Sequence, residues 1–189
     1  MATSIAHSLI GLAIGTAWLA PAWRSGRELA GATRRLAPAL LGCILLANAP
    51  DVDYLYGLPW GAPNRYHQTV THTLAWLVAV AAALGANDRR RGCPRPWSGA
   101  LLALALLASH VAIDWLTVDL SPPIGLALFW PFTGSVQHAD GAFIPPPAKA
   151  SWSVIWTWHN LRVAAVELAF GLPLLCLAWA ARFRPCRAA

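Results

Sequence analysis

Residues 98–118 form a run of twenty-one positions in which Asp114 is the one formally charged side chain. As a helix such a run rises about 30 Å, the thickness of a bilayer's hydrocarbon core. Four further apolar runs lie at roughly 4–22, 36–50, 70–87 and 154–181 of the 189 residues. Too little polar chain remains to cover these runs in water. Hydrophobic residues make up 57% and charged residues 12%, and the charged share is about half that of an ordinary soluble domain. The same arithmetic excludes a disordered chain. The sequence predicts an all-α, polytopic transmembrane bundle of about five membrane-embedded helices, with residues 1–189 as one integral membrane domain. Runs 36–50 and 70–87 are short for a span and call for local bilayer thinning or burial against neighbours. Residues 119–150 carry Pro122, Pro123, Pro131 and Pro145–Pro147 and read as a Pro-rich outer loop, with a short interfacial helix near Ile124–Trp130.

The basic residues set an orientation. Arg24, Arg27, Arg34 and Arg35 fall in one connection, Arg89, Arg90, Arg91 and Arg95 in another, and Arg182, Arg184 and Arg187 in the tail. Membrane proteins keep such segments in the cytoplasm. The N-terminus is then outside and the C-terminus cytoplasmic, with 51–69 and 119–153 facing out and only Arg65 and Lys149 as outer cations. This placement, rather than the net charge of +6, decides against nucleic acid as a partner. Cys43 and Cys176 lie in apolar runs, Cys93 and Cys186 in basic segments, and no CxxC pair occurs, so free thiols are expected. The first 20 residues lack a basic stretch, so the first run is expected to stay as an anchor.

Seven ionisable residues stand in or beside the apolar runs: His7, Asp51, Asp53, His67, His72, His110 and Asp114. Ionisable groups at such places are costly and mark function. The orientation puts all seven toward the outer face, which scattered structural histidines have no reason to share. His110 and Asp114 are i and i+4, on one helix face. Asp51 and Asp53 flank Val52 after Pro50, where a helix must end. Each has a bland alternative: a helix-start polar residue for His7, an Asx-type turn for Asp51 and Asp53, loop histidines for His67 and His72, a buried hydrogen-bonded pair for His110 and Asp114. Together, imidazole with carboxylate suits zinc, and also manganese or iron. Four His and three Asp exceed one tetrahedral shell, so one ion or two are open. Outside this set lie Asp119, His138, Asp140, His159 and Glu167; Glu167 is deep enough to need a partner such as Arg162.

The order of these residues resembles the YdjM-like family of membrane-bound, metal-dependent hydrolases, which are inner membrane-associated. The resemblance rests on Ala6-His7-Ser8, Pro50-Asp51-Val52-Asp53, His67-Gln68-Thr69-Val70-Thr71-His72-Thr73, His110-Val111-Ala112-Ile113-Asp114 and Trp130-Pro131-Phe132. It covers about residues 1–135. It implies a metal-dependent hydrolase in a bacterial inner membrane. One position departs: Gln68 stands where the family usually has Arg, and Arg65 is near enough in sequence to stand in.

The expected function is therefore hydrolysis at a metal site on the outer membrane interface, of a phosphoester or ester bond, with a membrane lipid or lipid-linked phosphoester as substrate. Asp53 is expected to accept the water proton and His72 to protonate the leaving group. Trp60, Trp130, Trp152, Trp156 and Trp158 are candidates for a rim, or are simple interface anchors. The competing reading is a proton or metal-ion transporter using the same residues. It predicts polar groups through the whole membrane thickness, and the inner halves of the runs have few. A haem carrier has no use for the aspartates. A scaffold keeping a structural metal is the fourth reading. No partner protein or oligomeric state is specified.

Overall fold

The computed structural model describes residues 2–24, 29–120, 124–148 and 156–181. Six helices are seen among them: α1 (Ser4–Arg24), α2 (Leu29–Ala47), the short α3 (Tyr54–Gly57), α4 (Leu74–Arg90), α5 (Pro96–Leu116) and α6 (Trp158–Ala181). The described residues contain no strand, and 3-10 turns at Ala49–Asp53, Leu58–Trp60, Pro63–Tyr66 and Val70–His72 connect α2 to α4. Arg27, Lys149, Trp152, Arg182, Arg184, Cys186 and Arg187 lie outside the described residues.

Local chemistry sets the ends that matter. α2 stops where Pro50, lacking an N–H, cannot extend it; Asn48 folds back, its Nδ2 donating to the Ile44 carbonyl at 2.8 Å. α4 begins at Thr73, whose hydroxyl accepts the Trp76 N–H at 3.1 Å, and α5 carries Pro96 in its first turn, where the missing N–H costs nothing. α1 packs against α2, α5 and α6, and α4 against α5. The α1–α2 approach needs glycine: a Cβ on Gly11 would stand 2.7 Å from the Ala47 Cβ. Small residues bring helix backbones together in this way in lipid.

Five membrane-embedded helices are expected from the apolar runs, and among the described residues fewer helices are long and apolar enough to span. α5 and α6 are long and apolar enough to cross a membrane by length and composition, and Leu36–Ala47 with Ala49–Trp60 make a third only as a pair bent by 57°. The reasons are local. In α4 the apolar stretch from Leu74 to Ala86 gives way to Asn87-Asp88-Arg89-Arg90. That leaves roughly 20 Å of apolar helix against a core of about 30 Å. The outer loop also differs from expectation. Ile124–Trp130 forms no helix; instead Leu126 pairs with Gln137 and Thr117 with Ile144 in isolated bridges. Leu126 and Leu128 then pack into a core with Leu77, Leu107 and Val111, which fixes this loop over the ends of α4 and α5.

Candidate metal centre

The N-termini of α1 and α4 and the C-termini of α2 and α5 meet at one end of the bundle. Each brings part of the polar set: His7 from the first turn of α1, Asp51 and Asp53 from the turn after α2, His67 and His72 from the segment before α4, His110 and Asp114 from the last two turns of α5. All seven sequence candidates are thus in one cluster. Six are buried; Asp51 keeps 23% of its side-chain surface, so the cluster meets its surroundings at Asp51.

Four of these residues, Asp51, His72, His110 and Asp114, each offer an atom such that all lie within 4.8 Å of one another. His72 Nε2 is 3.2 Å from His110 Nε2. Asp114 Oδ2 is 3.4 Å from each of those nitrogens, and Asp51 Oδ1 is 3.5 Å from His110 Nε2. Ligands at zinc's usual distances of about 2.0–2.1 Å define a tetrahedron whose edges are roughly 3.3 Å. These four separations match that edge.

Tautomers follow from the partners. His110 Nδ1 is 2.8 Å from the Ala47 carbonyl, which can only accept, so Nδ1 carries the proton and Nε2 presents a lone pair. The Thr71 hydroxyl donates to Asp53 Oδ2 at 2.8 Å. His72 Nδ1 faces that same carboxylate oxygen at 3.2 Å and must donate to it, which again leaves Nε2 unprotonated. With both rings neutral, their two Nε2 lone pairs and the Asp114 oxygen converge on one point. Asp114 Oδ2 and His67 Nε2 are buried without a hydrogen-bond partner. Orphaned acceptors of this kind are rare in folded proteins, and a divalent cation held by the four atoms would satisfy Asp114 Oδ2. The donor set, two imidazoles and two carboxylates, fits zinc and its neighbours.

A second trio, Asp53, His67 and His72, is also close, but its geometry is that of hydrogen bonding. His67 Nδ1 lies 2.7 Å from Asp53 Oδ1, too near for two ligands of one ion. Asp53 accepts from His67 Nδ1, the Gln68 N–H, the Thr71 hydroxyl and His72 Nδ1. The expectation that Asp53 is free to take a proton from water meets a carboxylate already saturated with donors. The expectation that His72 is a proton donor meets a ring whose N–H is turned away to Asp53. The partners beyond the ligands were not foreseen: Thr71, the Ala47 carbonyl, the Ala2 N–H that donates to Asp114 Oδ1 at 2.9 Å, and Tyr54, stacked on His67 with centroids 4.0 Å apart. Thr71 alone had a signal, as it stands between His67 and His72 in the quoted segment.

His7 belongs to neither group. Its ring stacks on His110 at 3.8 Å, and its Nε2 is 3.5 Å from Asp114 Oδ1. Burial pushes the His67 imidazole below its usual value although Asp53 opposes this; the neutral ring is the form that offers a lone pair. Gln68 is buried and sits at a φ of +61°, a backbone region non-glycine residues rarely occupy. Arg65 does not replace a cation here: it is exposed, and its guanidinium lies over the Tyr66 ring at 5.7 Å.

Of the residues outside the set, His159 Nε2 donates to the Pro146 carbonyl at 2.8 Å, and His138 and Asp140 are exposed, 3.9 Å apart. Glu167 does not pair with Arg162, which lies over the Trp158 ring. Its carboxylate instead accepts the Thr3 N–H at 2.7 Å, the Thr3 hydroxyl, and the Ala6 N–H at 3.3 Å. It thereby caps the start of α1, where free N–H groups and the helix dipole favour an anion. Glu167→Ala is expected to lower unfolding stability in detergent by about 2–3 kcal/mol, the scale of a hydrogen-bonded buried charge. A change within experimental error would show that α1 is held without this cap.

A family model described as the YdjM inner membrane protein matches residues 1–185. No curated protein and no solved structure matches the chain.

Proposed function

The chain belongs to the YdjM inner membrane protein family, and from that premise we propose that it is a membrane-bound, metal-dependent hydrolase. One observation carries this reading: the ligand-type atoms of Asp51, His72, His110 and Asp114 lie within 4.8 Å of one another, and four of their six separations are 3.2–3.5 Å, close to a tetrahedral edge. These residues would hold a divalent ion, zinc by preference. When bound, the ion supplies Lewis acidity at the scissile oxygen and at water.

The residues of the chain provide the rest. Asp53 orients both His67 and His72 through their Nδ1–H groups. His67 Nε2, without a partner and 3.7 Å from Asp51 Oδ1, accepts the proton of the attacking water. His67 thus takes the role expected of Asp53, and His72 serves as a ligand. Ala2, through its N–H, fixes the other oxygen of Asp114, and the His7 ring lies beside it. The buried walls exclude bulk water, which strengthens each of these interactions.

The substrate we propose is a membrane lipid or lipid-linked phosphoester. Trp60, Trp130, Trp156 and Trp158 are exposed on the segments that flank the cluster, as suits a headgroup-level surface. Arg89, Arg90, Arg91 and Arg95 are exposed where α4 ends and α5 begins, the opposite end of those helices from the cluster. This supports a site on the outer face, an outer N-terminus and a cytoplasmic C-terminus. The whole chain would be one membrane domain, with α1 and α4 embedded beside the longer helices.

The test is the zinc-loaded protein in vesicles of mixed phospholipids, assayed for released headgroup or phosphate. Release that disappears with chelator and returns with zinc is expected. Full zinc loading with no hydrolysis of any phosphoester, but with zinc or proton flux across the vesicle, would establish the transporter instead.

A further inference from the structure

The end of the bundle opposite the metal centre carries an arginine cluster. α4 closes on Arg89 and Arg90, Arg91 follows it, and Arg95 stands just before α5; all four are exposed. From Arg95 to His110 the chain runs almost wholly as α5, a rise of about 22 Å, so the cluster is separate from the metal site. The turn that carries it is closed by its own backbone. The Arg91 N–H donates to the Asn87 carbonyl at 3.0 Å, the Gly92 N–H to Arg89 at 3.1 Å, and the Cys93 N–H to Asp88 at 3.0 Å.

Acidic residues do not balance this charge. Asp51, Asp53, Asp114, Asp119, Asp140 and Glu167 lie at the other end of the bundle, and Glu28 is outside the described residues. Asp88 stands against the first turn of α5, where a Cβ on Gly99 would lie 2.7 Å from its Oδ2. Among the described residues none of the four arginines is in an ion pair.

Trp97 gives the depth. It is 53% exposed in the first turn of α5, and its ring lies on Gly85 of α4, where an added Cβ would stand 2.8 Å from its Cε3. An exposed indole at the end of a spanning helix settles at the membrane–water interface. Arg89 follows Gly85 by one helical turn, about 6 Å along α4. The head-group layer outside the hydrocarbon is itself about 5–8 Å thick. The arginines therefore fall among the phosphates rather than in the water beyond them.

We infer that this cluster is a binding surface for anionic phospholipid head groups, in the leaflet opposite the metal centre. Each guanidinium offers paired N–H donors whose spacing matches two phosphate oxygens. A zwitterionic head group brings an ammonium that the neighbouring cations repel. An anionic one brings no such group, and every arginine held at the surface adds to its attraction. The inference is independent of the hydrolase reading.

The experiment uses the full chain in bilayers of phosphatidylcholine, with spin-labelled phosphatidylglycerol or spin-labelled phosphatidylcholine as probe. Electron paramagnetic resonance reads the fraction of each probe immobilised at the protein surface. At about 0.1 M salt, wild type should favour phosphatidylglycerol at least about threefold. Most of that preference should vanish at about 1 M salt, where the screening length falls from about 10 Å to about 3 Å. Changing Arg89, Arg90, Arg91 and Arg95 together to Gln should cut the low-salt preference by about half or more, and changing them to Lys should keep most of it. Arg65→Gln, at the other end of the bundle, should leave it unchanged. The sites are exposed, so melting in detergent should stay at the wild-type temperature. Should the fourfold Gln variant not fold, Arg91→Gln with Arg95→Gln, both outside the helices, makes the same comparison. Equal immobilisation of the two probes by wild type, or an equal preference in wild type and a folded Gln variant, overturns the inference. Binding of a single-stranded oligonucleotide that needs these arginines, with no lipid preference, would assign the cluster to nucleic acid and overturn it too.

Discussion

His110→Ala strips the metal: at a zinc concentration that saturates wild type, the variant should retain less than a tenth of the bound ion by elemental analysis. The size of the effect comes from the position of one atom. His110 Nε2 is an end of three of the four short separations, to His72, Asp114 and Asp51 at 3.2, 3.4 and 3.5 Å. No nearby side chain replaces it, because His7 lies stacked on the face of the same ring. Asp53→Asn is the informative contrast. It leaves all four ligands but puts an amide where two imidazole N–H groups need an anion. Its zinc affinity should fall about 10–100-fold, the usual cost of losing a partner behind a ligand. Retention of full occupancy by His110→Ala would remove the four-atom centre as the metal site.

His67→Ala should separate holding metal from using it. With the wild-type zinc complement retained, phosphoester turnover should drop by roughly 10²–10⁴, the range of a positioned general base. His67 Nδ1 is committed to Asp53 at 2.7 Å, and its Nε2 is orphaned, so the ring has one function to lose. The same variant counts the ions. If zinc falls from two equivalents to one, His67 is a ligand of a second ion and the base must be sought elsewhere. If zinc stays at one and turnover survives, the proton-acceptor role is wrong.

The site was more legible in the sequence than the spans were. Ionisable side chains in apolar surroundings announce themselves residue by residue, and spacing such as His110 to Asp114 carries its own geometry. What spacing cannot give is which atom faces which. Asp53 and Asp51 look equivalent two residues apart, yet one collects four donors and the other reaches the ligand cluster. The difference arises from the 3-10 turn at Ala49–Asp53 and from Thr71, Gln68 and His67 arriving from another segment. Glu167 was misassigned for a similar reason. Its partner is the start of α1, more than 160 positions away, and an unpaired helix terminus has no signature as an acceptor's target. The spans were less legible because an apolar run states composition, while the apolar stretch of α4 ends at Asn87 and α2 breaks at Asn48.

That break in α2 has a further bearing on His110. In an unbroken helix the Ala47 carbonyl would receive the N–H of residue 51. Here the Asp51 N–H goes to Asn48 instead, at 3.2 Å, and the Ala47 oxygen is taken by His110 Nδ1. The backbone thus lends the imidazole an acceptor that regular helix would have consumed. Were the chain to run on as helix past position 50, that oxygen would acquire a second suitor, and Asp51 would be carried around the helix axis by the turn of each added residue. Pro50, with no hydrogen to give, removes one of the bonds that would carry the helix on, and the Asn48 carbonyl takes the Asp51 N–H. A backbone break that touches no ligand atom thus leaves one metal-facing ring its acceptor and sets the heading of one carboxylate.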